Sequence, residues 1–442
     1  MKTIVFNFLM GLFGISMGVA QTDTLLIENV NVIPMIEETI LYNQRVVVAH
    51  GKIIRVEPMS ATLEFQNPRV VDGSGKYLIP GLNEMHYHWR NKEGGIVRDF
   101  KLLIANGVTT VRNMAEYDWQ DHISIRDSID DGKLFGPNYF TSGPYLKSGD
   151  LQSSADVQSV VEQHYRKGYD FIKIADDLPK AIYLEILEKA QTYHIPVMGH
   201  AQRAMDLEYS LRMKSIEHVE EFVYLFGDEQ RRDSLFLKNA VEQIKNSGIV
   251  IVPTLVVFDM IVKCLDDNSF AKLKEKEVAT YMLNGDHGYW ASDDNPYRQN
   301  LKGKVINGMD ALPLLEGYFE WMKNFTKILA KEDVPMMTGS DTFGFVVPGF
   351  SLHEEFQFLQ EAGLSPYEIL KASTLTPARY LGSIATEGTI TVGKNANLVL
   401  LNKNPLEDIK NTKTIEGVLL KGEWLGRDQL DSLLKEVESL NH

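Results

Sequence analysis

The chain has 442 residues, of which 44% are hydrophobic and 24% are charged, proportions that are typical of a globular protein. Its formal net charge of −15 argues against nucleic acid or an anionic membrane surface as a partner. Cys264 is the only cysteine, which excludes an internal disulfide and leaves stability to the core that a chain of this length can build.

Residues 1–20 have the pattern of a secretory signal peptide. Lys2 is the only charged residue before Asp23, residues 4–20 are apolar or small, and Ala20 ends a run of small residues suited to cleavage. We therefore expect an exported protein, periplasmic or secreted, with no membrane attachment after cleavage. An uncleaved N-terminal anchor is the alternative, because the apolar run approaches the length that spans a bilayer.

Short strands are predicted near both ends of the chain. Residues 25–33, 44–49 and 52–56 are rich in Val and Ile, and a hairpin turn at 50–51 joins the last two. Residues 388–401 and 414–424 have the same pattern, with glycine-containing turns. Neither set is large enough to form a domain alone. We expect residues 23–80 and 381–442 to build one small composite β-sandwich domain together.

Between these ends, strand patterns alternate with helical ones. The predicted strands are residues 80–86, 107–112, 138–142, 169–175, 196–200, 215–219, 250–255 and 335–340. Repeated strand–helix units favour a parallel sheet covered by helices. Eight such units over about 250 residues are typical of a TIM-type barrel. The predicted fold class is therefore α/β, with a (β/α)8 barrel over residues 81–380.

Residues 256–325 are too many for an ordinary connection between a strand and the next helix. The stretch contains aromatic residues, among them Tyr289 and Trp290. Connections of this length are more often lids or substrate loops than plain linkers, so a lid-like insertion is predicted. A surface insertion without a role at the site is the alternative.

Side chains that can bind metal lie at the ends of several predicted barrel strands. His86 and His88 are two residues apart on the first strand, so both point to the same face. The carboxyl ends of barrel strands converge at one mouth, where the later members of the set would join them. The full set is His86, His88, Lys173, His200, His218 and Asp341.

Each member of this set also has a purely structural explanation. A single buried histidine is more often a hydrogen-bonded core residue than a ligand. Lys173 could extend its ammonium group out of the barrel along an apolar stem, and Asp341 could cap a helix. The joint placement at the ends of separate strands favours a metal site.

Motifs around these strand ends form a series. They are Pro80-Gly81-Leu82, Gly107-Val108-Thr109-Thr110, Gly199-His200-Ala201, Ile216-Glu217-His218, Val252-Pro253-Thr254, Thr338-Gly339-Ser340-Asp341 and Gly393-Lys394-Asn395-Ala396. From about residue 25 to residue 425 the chain resembles the amidohydrolase superfamily, in its imidazolonepropionase-like and Xaa-Pro dipeptidase-like branch. The series is specific for the superfamily and says little about the substrate.

The resemblance implies two divalent metal ions, with zinc as the expected metal. The two histidines of the first strand and Asp341 would hold one ion, and His200 and His218 the other. Lys173 would bridge the two ions after reacting with CO₂ to form a carbamate. A buried lysine readily loses its proton, and the neutral amine can take up CO₂.

Such a site predicts hydrolysis by a metal-bridging hydroxide. Two metals lower the pKa of a bridging water toward neutrality, and one of them polarises the substrate carbonyl. Asp341 would take the proton of this water and pass it to the leaving group. The expected substrate is a small molecule with an amide or peptide C–N bond, such as an acyl-amino acid, a dipeptide or a cyclic amide. A carboxylesterase or lactonase, and a non-catalytic binding protein, are the alternatives.

The chain departs from the family pattern at several loops. Glu84 stands where an aspartate is usual, and it could still support a ligand histidine. The segments that carry Tyr145 and Arg203 also differ from those of many relatives. Because loops at the barrel mouth set specificity, Tyr145, Arg203 and His353 are candidate substrate contacts. The sequence is compatible with a homo-oligomer but does not specify one.

Overall fold

The computed structural model describes residues 24–62, 65 and 67–441. The predicted signal peptide at residues 1–20 lies outside the described residues. Within the described ranges, no helix has both the length and the apolar character needed to cross a membrane. Strands and helices alternate through most of the chain, so the α/β class predicted from the sequence is confirmed.

The strands, in chain order, are β1 (Thr24–Val32), β2 (Leu41–Ala49), β3 (Lys52–Pro58), β4 (Arg69–Asp72), β5 (Tyr77–Pro80), β6 (Leu82–Tyr87), β7 (Val108–Asn113), β8 (Asn138–Thr141), β9 (Ile172–Ile174), β10 (Val197–Gly199), β11 (Ser215–Glu217), β12 (Val250–Val252), β13 (Val305–Ile306), β14 (Met309–Asp310), β15 (Leu398–Leu401), β16 (Ile415–Leu420) and β17 (Glu423–Gly426).

The α-helices are α1 (Gly95–Ala105), α2 (His122–Asp130), α3 (Ser154–Lys167), α4 (Lys180–Thr192), α5 (Leu207–Ser210), α6 (Glu221–Leu225), α7 (Asp228–Arg232), α8 (Ser234–Ser247), α9 (Leu255–Leu265), α10 (Asp267–Lys274), α11 (Asn284–Trp290), α12 (Pro296–Leu301), α13 (Ala311–Lys331), α14 (Phe350–Glu361), α15 (Pro366–Ser373), α16 (Leu375–Tyr380) and α17 (Arg427–Ser439). Two 3₁₀ helices lie at Glu277–Tyr281 and Ile409–Lys413.

Strands from both ends of the chain belong to one mixed eight-stranded sheet, in the order β17-β16-β15-β5-β1-β2-β3, with β4 paired to β1. Strand β15, in the interior of this sheet, runs antiparallel to β5, with Leu398 opposite Pro80. Successive side chains of a strand point to opposite faces. Leu400 therefore packs into the core of this sheet, while Val399 packs into the main core of the protein. Burial on both faces explains why β15 is uniformly apolar.

The middle of the chain contains two parallel sheets, β6-β7-β8 and β12-β11-β10-β9. Backbone contacts join β8 to β9: Ser142 forms a parallel bridge with Phe171, and Leu146 N donates to Lys173 O at 2.7 Å. All strands of both sheets run parallel to their neighbours, and helices connect most of them.

Residues 335–341 lie between β12 and β6. Ile251 N donates to Pro335 O at 3.0 Å, and Met85 N donates to Thr338 O at 2.9 Å. The segment forms an isolated bridge at Met336 rather than the regular strand predicted for residues 335–340. Its backbone leaves the extended conformation at Asp341, where φ is 56°.

Two regions are more helical than the sequence indicated. The predicted insertion at 256–325 consists mainly of helices. Its last residues belong to the long amphipathic helix α13, which continues to Lys331. Helix α17 was not predicted within residues 381–442. It buries Leu430 and Val437 and packs against α1, where Lys101 Nζ lies 2.6 Å from Glu436 Oε2. The apolar spacing of Leu430, Leu434 and Val437 is a helical pattern that could have revealed it.

Candidate metal centre

The six predicted metal ligands meet at the carboxyl ends of the parallel strands. Five of them line a cavity of about 630 Å³, and the sixth, His86, lies fully buried directly beside them. The five are His88, Lys173, His200, His218 and Asp341. The elements that carry the ligands are β6, β9, the residues after β10 and β11, and segment 335–341.

The imidazole rings lie side by side around one centre. The ring centroids of His86 and His218 are 4.5 Å apart, and those of His200 and His218 are 4.9 Å apart. Lys173 Nζ is 3.4 Å from His86 Nε2. His86, His218 and Asp341 each offer one possible ligand atom, and these three atoms lie within 4.8 Å of one another.

Asp341 faces three of the histidines. Its Oδ1 lies 3.3 Å from His88 Nε2 and 3.7 Å from His86 Nε2, and its Oδ2 lies 3.9 Å from His218 Nε2. Asp341 N donates to His86 O at 2.8 Å, which fixes the left-handed backbone at this position. Such backbone conformations persist where the surrounding structure holds them, often at functional sites.

Carboxylates orient two of the imidazoles. His86 Nδ1 lies 3.0 Å from Glu217 Oε2, and His200 Nδ1 lies 2.8 Å from Glu221 Oε1. A carboxylate can only accept, so each Nδ1 carries the proton and each Nε2 offers a lone pair. His218 Nδ1 is likewise 2.6 Å from Thr254 Oγ1. These contacts fix the rings in the orientation that metal ligands require.

Glu217 is itself held by a buried arginine. Both carboxylate oxygens of Glu217 accept from Arg112 Nη2 at 2.8 Å, and neither side chain is exposed. Arg112 also donates to Tyr380 Oη at 2.9 Å and to Met85 O at 2.7 Å. The pair is therefore fully hydrogen-bonded, a condition under which buried charges are tolerated.

Burial in this site favours the uncharged forms of three histidines and of Lys173. Burial, and next the positive charge of Lys173, holds the pKa of His86 well below its ordinary value. Burial lowers the pKa of His88 and His218 in the same direction, assisted by nearby cations. Burial lowers the pKa of Lys173 to about 8, although the charges of Asp341 and Glu217 oppose the shift. Neutral imidazole is the form that binds metal.

This arrangement fits divalent metal ions. Asp341 Oδ1 is buried and has no hydrogen-bond partner among the described residues. Buried polar atoms without a partner are rare and call for an explanation. Several neutral imidazoles, a carboxylate and a lysine around one point are a donor set that zinc accepts, provided the lysine is not protonated.

Glu84 contacts a candidate ligand histidine through the backbone of that residue. Its Oε1 accepts from His86 N at 3.0 Å and from Ser340 N at 2.8 Å, and its Oε2 accepts from Ser340 Oγ at 2.5 Å. Burial raises its pKa to about 7, while these bonds oppose the shift. Glu84 therefore ties the backbones of two ligand-bearing segments together and does not contact an imidazole ring.

The three candidate substrate contacts lie in different places. Tyr145 lines the cavity, as expected. Arg203 pairs with Glu221 and does not line it. His353 is buried on α14, where Nδ1 lies 2.9 Å from Thr412 Oγ1 and Nε2 lies 3.0 Å from Asn106 O. These bonds hold its ring away from the cavity, so the expectation for His353 is wrong.

Several residues that shape the site were not predicted. Glu217, Glu221 and Thr254 hydrogen-bond to the candidate ligand histidines. Glu217 and Thr254 lie in the motif series, but their motifs do not indicate this role, and Glu221 lies outside the series. The cavity wall also contains residues that sequence reasoning did not single out. They are Arg90, Tyr117, Lys147, Tyr297 and Phe343. Trp290, from the aromatic run in the predicted insertion, lines the cavity too, and that run was the available signal.

Comparisons with known proteins agree with this geometry. The sequence profile of the amidohydrolase family matches residues 77–425. Ochratoxinase from Aspergillus niger is 23% identical, over 75% of this chain and 72% of the relative. A crystal structure of a Xaa-Pro dipeptidase with bound methionine superposes with a TM-score of 0.69 and 18% identity, covering 91% of this chain and 100% of the other.

A second solved structure, bottromycin amidohydrolase, superposes with a TM-score of 0.74 and 22% identity, covering 96% of this chain and 91% of the other. The predicted resemblance to the amidohydrolase superfamily is thus confirmed. The chain belongs to the amidohydrolase family and is an enzyme that hydrolyses carbon–nitrogen bonds.

Proposed function

We propose that this enzyme is a binuclear metal-dependent amidohydrolase that cleaves the amide bond of a small N-acyl amino acid or dipeptide. The observation that carries the proposal is the convergence of six potential ligands at one cavity. Five of the six line it, and the sixth, His86, is buried directly beside them. Relatives that are named for amide or peptide hydrolysis support the choice of bond.

We further infer that the parallel strands and segment 335–341 form a closed (β/α)8 barrel. The bridge between Ser142 and Phe171 joins one sheet to the other at β8 and β9. On the opposite side, segment 335–341 hydrogen-bonds to both β12 and β6. A closed barrel would explain why ligands from distant parts of the sequence meet at one end.

The ligands divide between two ions as the family pattern implies. His86, His88 and Asp341 would hold one ion, His200 and His218 the other, and a carbamate on Lys173 would bridge them. The buried position of Lys173 Nζ, 3.4 Å from His86 Nε2, supports this role. When bound, the ions would supply an acidified water and a Lewis acid for the substrate carbonyl.

Asp341 is the residue that would move the proton. Its Oδ1 is buried, has no hydrogen-bond partner among the described residues and belongs to a side chain that borders the cavity. Asp341 would accept a proton from the attacking water at this carboxylate and deliver it to the leaving nitrogen, which makes the amine a good leaving group.

The cavity walls indicate a substrate with a carboxylate and an apolar side chain. Lys147 lines the cavity, and its Nζ lies 5.7 Å from the centre of the Tyr145 ring. Arg90 lies over Phe343, and its Nη2 is 3.5 Å from Asp341 Oδ1, so its charge already faces a carboxylate of the site. Lys147 would hold a substrate carboxylate, which an acyl-amino acid or a dipeptide has and a simple cyclic amide lacks.

The proposal is tested with the purified protein and a panel of N-acyl amino acids, dipeptides and matched esters. We expect about two metal ions per chain, loss of hydrolysis after chelation, and its return on adding zinc. Asp341→Asn should lower kcat by about 10²- to 10⁴-fold, because a positioned general base contributes that much.

Asp131→Asn is the matched control, because Asp131 is exposed and pairs only with Lys133 among the described residues. Hydrolysis that is indifferent both to chelation and to Asp341→Asn would contradict the proposal. Faster turnover of the esters than of their amide counterparts would instead favour an esterase on the same site.

A further inference from the structure

Arg203 is part of the support for a ligand histidine. Its Nε donates to Glu221 Oε2 at 2.8 Å, and its Nη2 donates to Glu221 Oε1. Glu221 Oε1 also accepts from His200 Nδ1 at 2.8 Å. His200, Glu221 and Arg203 thus form a continuous series of charge-assisted hydrogen bonds, which we call the His200 relay.

Helix α6 places both groups that hold Arg203. Glu221 and Tyr224 are three residues apart on α6, so they share one face of the helix. The guanidinium of Arg203 pairs with the carboxylate and lies 4.6 Å from the centre of the Tyr224 ring. Bidentate pairing combined with stacking is suited to the planar guanidinium, and lysine cannot reproduce it.

A second relay of the same composition supports His86. There Glu217 is held by Arg112, and none of the three side chains is exposed. In the His200 relay the Glu221 side chain is fully buried, but His200 is 23% exposed and Arg203 is 37% exposed. The His200 relay is therefore the one whose arginine can be altered without opening the protein core.

We propose that Arg203 is a positioning residue for the ion held by His200 and His218, acting through Glu221, and that it does not contact the substrate. The inference rests on the proposed binuclear site. Arg203 holds the Glu221 carboxylate in the place where it accepts the Nδ1 proton of His200. That contact fixes the ring with the Nε2 lone pair toward the metal, which is the usual function of such partners.

The test compares wild type with Arg203→Gln during dialysis against a graded series of chelator concentrations, with metal per chain measured at each step. We expect the variant to lose one ion at a chelator strength about tenfold lower than wild type, because partners of ligand histidines are worth about 10- to 100-fold in affinity. Its kcat should fall and return with excess zinc, while KM stays unchanged.

Three further variants sharpen the result. Arg203→Lys keeps the charge but not the bidentate geometry, so an intermediate shift is expected. Tyr224→Leu removes only the stacked ring and should give a small shift in the same direction, which keeps the inference testable if Arg203→Gln does not fold. Arg166→Gln removes an arginine from the exposed pair with Glu162 and should leave metal retention unchanged.

Two outcomes would overturn the inference in different ways. If Arg203→Gln retains both ions like wild type and shows a raised KM, Arg203 is a substrate contact and only this inference fails. If wild-type protein retains no metal and hydrolyses its substrates regardless of chelator, the binuclear site itself is wrong, and the role of Arg203 falls with it.

Discussion

At the scale of single residues, the ion pair between Arg112 and Glu217 needs both of its charges in place, because neither side chain reaches solvent. Both side chains are fully buried, and the carboxylate serves the guanidinium and His86 at the same time. Such a pair adds little net stability while it is complete, but the loss of one partner leaves an uncompensated buried charge. Its value to the enzyme is the fixed orientation of the His86 ring.

Glu217→Gln should therefore destabilise the metal-free protein by about 3–5 kcal/mol, because Arg112 would remain buried without its countercharge. Urea unfolding followed by circular dichroism measures the change. Asp131→Asn breaks only the exposed pair with Lys133 among the described residues and should leave stability nearly unchanged. Equal losses in the two variants would show that the buried charge of Arg112 is compensated elsewhere.

Lys147 offers a test of how the substrate is recognised. Lys147→Met should raise KM about tenfold or more for substrates with a free carboxylate, because a charged hydrogen bond is worth about 1.5–3 kcal/mol. Amide-capped forms of the same substrates should be affected much less. Lys133→Met is the control, since Lys133 is exposed and outside the cavity. An equal KM increase for the free and the amide-capped substrates would contradict the assignment of Lys147 to the substrate carboxylate.

Sequence patterns identified the candidate metal ligands, but they did not identify the residues that hydrogen-bond to those ligands and orient them. Four of the six candidate ligands are histidines, of which the chain has 11, and all six lie in or just after predicted apolar strands, so position and chemistry point the same way. Glu221 and Arg203 are common residue types in surface segments, and only the three-dimensional pairing gives them a role. His353 was misplaced because the sequence does not show which face of α14 is turned toward Thr412.

Strand β10 shows how closely the elements under the candidate metal centre approach one another. Gly199 ends this strand with φ of 142°, and a Cβ built there would lie 1.9 Å from Ile174 O of β9. The same carbonyl accepts from His200 N at 2.9 Å. The spacing of the two strands and the position of a ligand therefore depend on the missing side chain.

Gly199→Ala should destabilise the protein by about 1–3 kcal/mol, the cost of a strained backbone position, and should weaken metal retention because His200 is displaced. Urea unfolding of the metal-free form and metal analysis measure the two effects. Gly285→Ala on α11 is the matched control: nothing lies within 4 Å of the added methyl group, and up to about 1 kcal/mol of stabilisation is expected. Normal metal retention in Gly199→Ala would contradict the argument.

At the element scale, apolar patterning located most strands well. Residues 25–33, 44–49 and 52–56 overlap β1, β2 and β3 closely. The short β4 was missed, because Arg69–Asp72 has exposed side chains and no alternating pattern. Residues 335–340 were predicted as a regular strand, but Gly339 and the following Asp341 adapt the backbone to His86 instead. This is a tertiary effect that local sequence does not encode.

Over the whole molecule, buried histidines make stability depend on pH. Burial lowers the pKa of both His122 and His353 to about 4. In the unfolded chain such groups have a pKa near 6.5. Between about pH 6.5 and 4 the unfolded state therefore binds more protons, so stability is full above this window and falls as the pH drops through it.

His353→Gln should make that fall shallower by about 2 kcal/mol between pH 7 and pH 5, because the group that the unfolded chain protonates is gone. Urea unfolding of the metal-free protein at the two pH values gives the difference. Thr412→Val removes the hydrogen bond to the same ring without removing a titratable group, so it should change stability equally at both pH values. An unaltered pH dependence in His353→Gln would refute the assignment.

The eight-stranded sheet has a consequence for the order in which the protein can fold. Strand β5 completes its pairing only with β15, which is synthesised after the whole middle of the chain. Contacts between such distant residues form late, because the entropy of closing the loop opposes them. Until then the first strands keep an unpaired edge, the kind of surface on which nascent chains associate. Proteolytic loss of β15, β16 and β17 would therefore also remove a pairing partner of β5 and destabilise the N-terminal strands of the sheet.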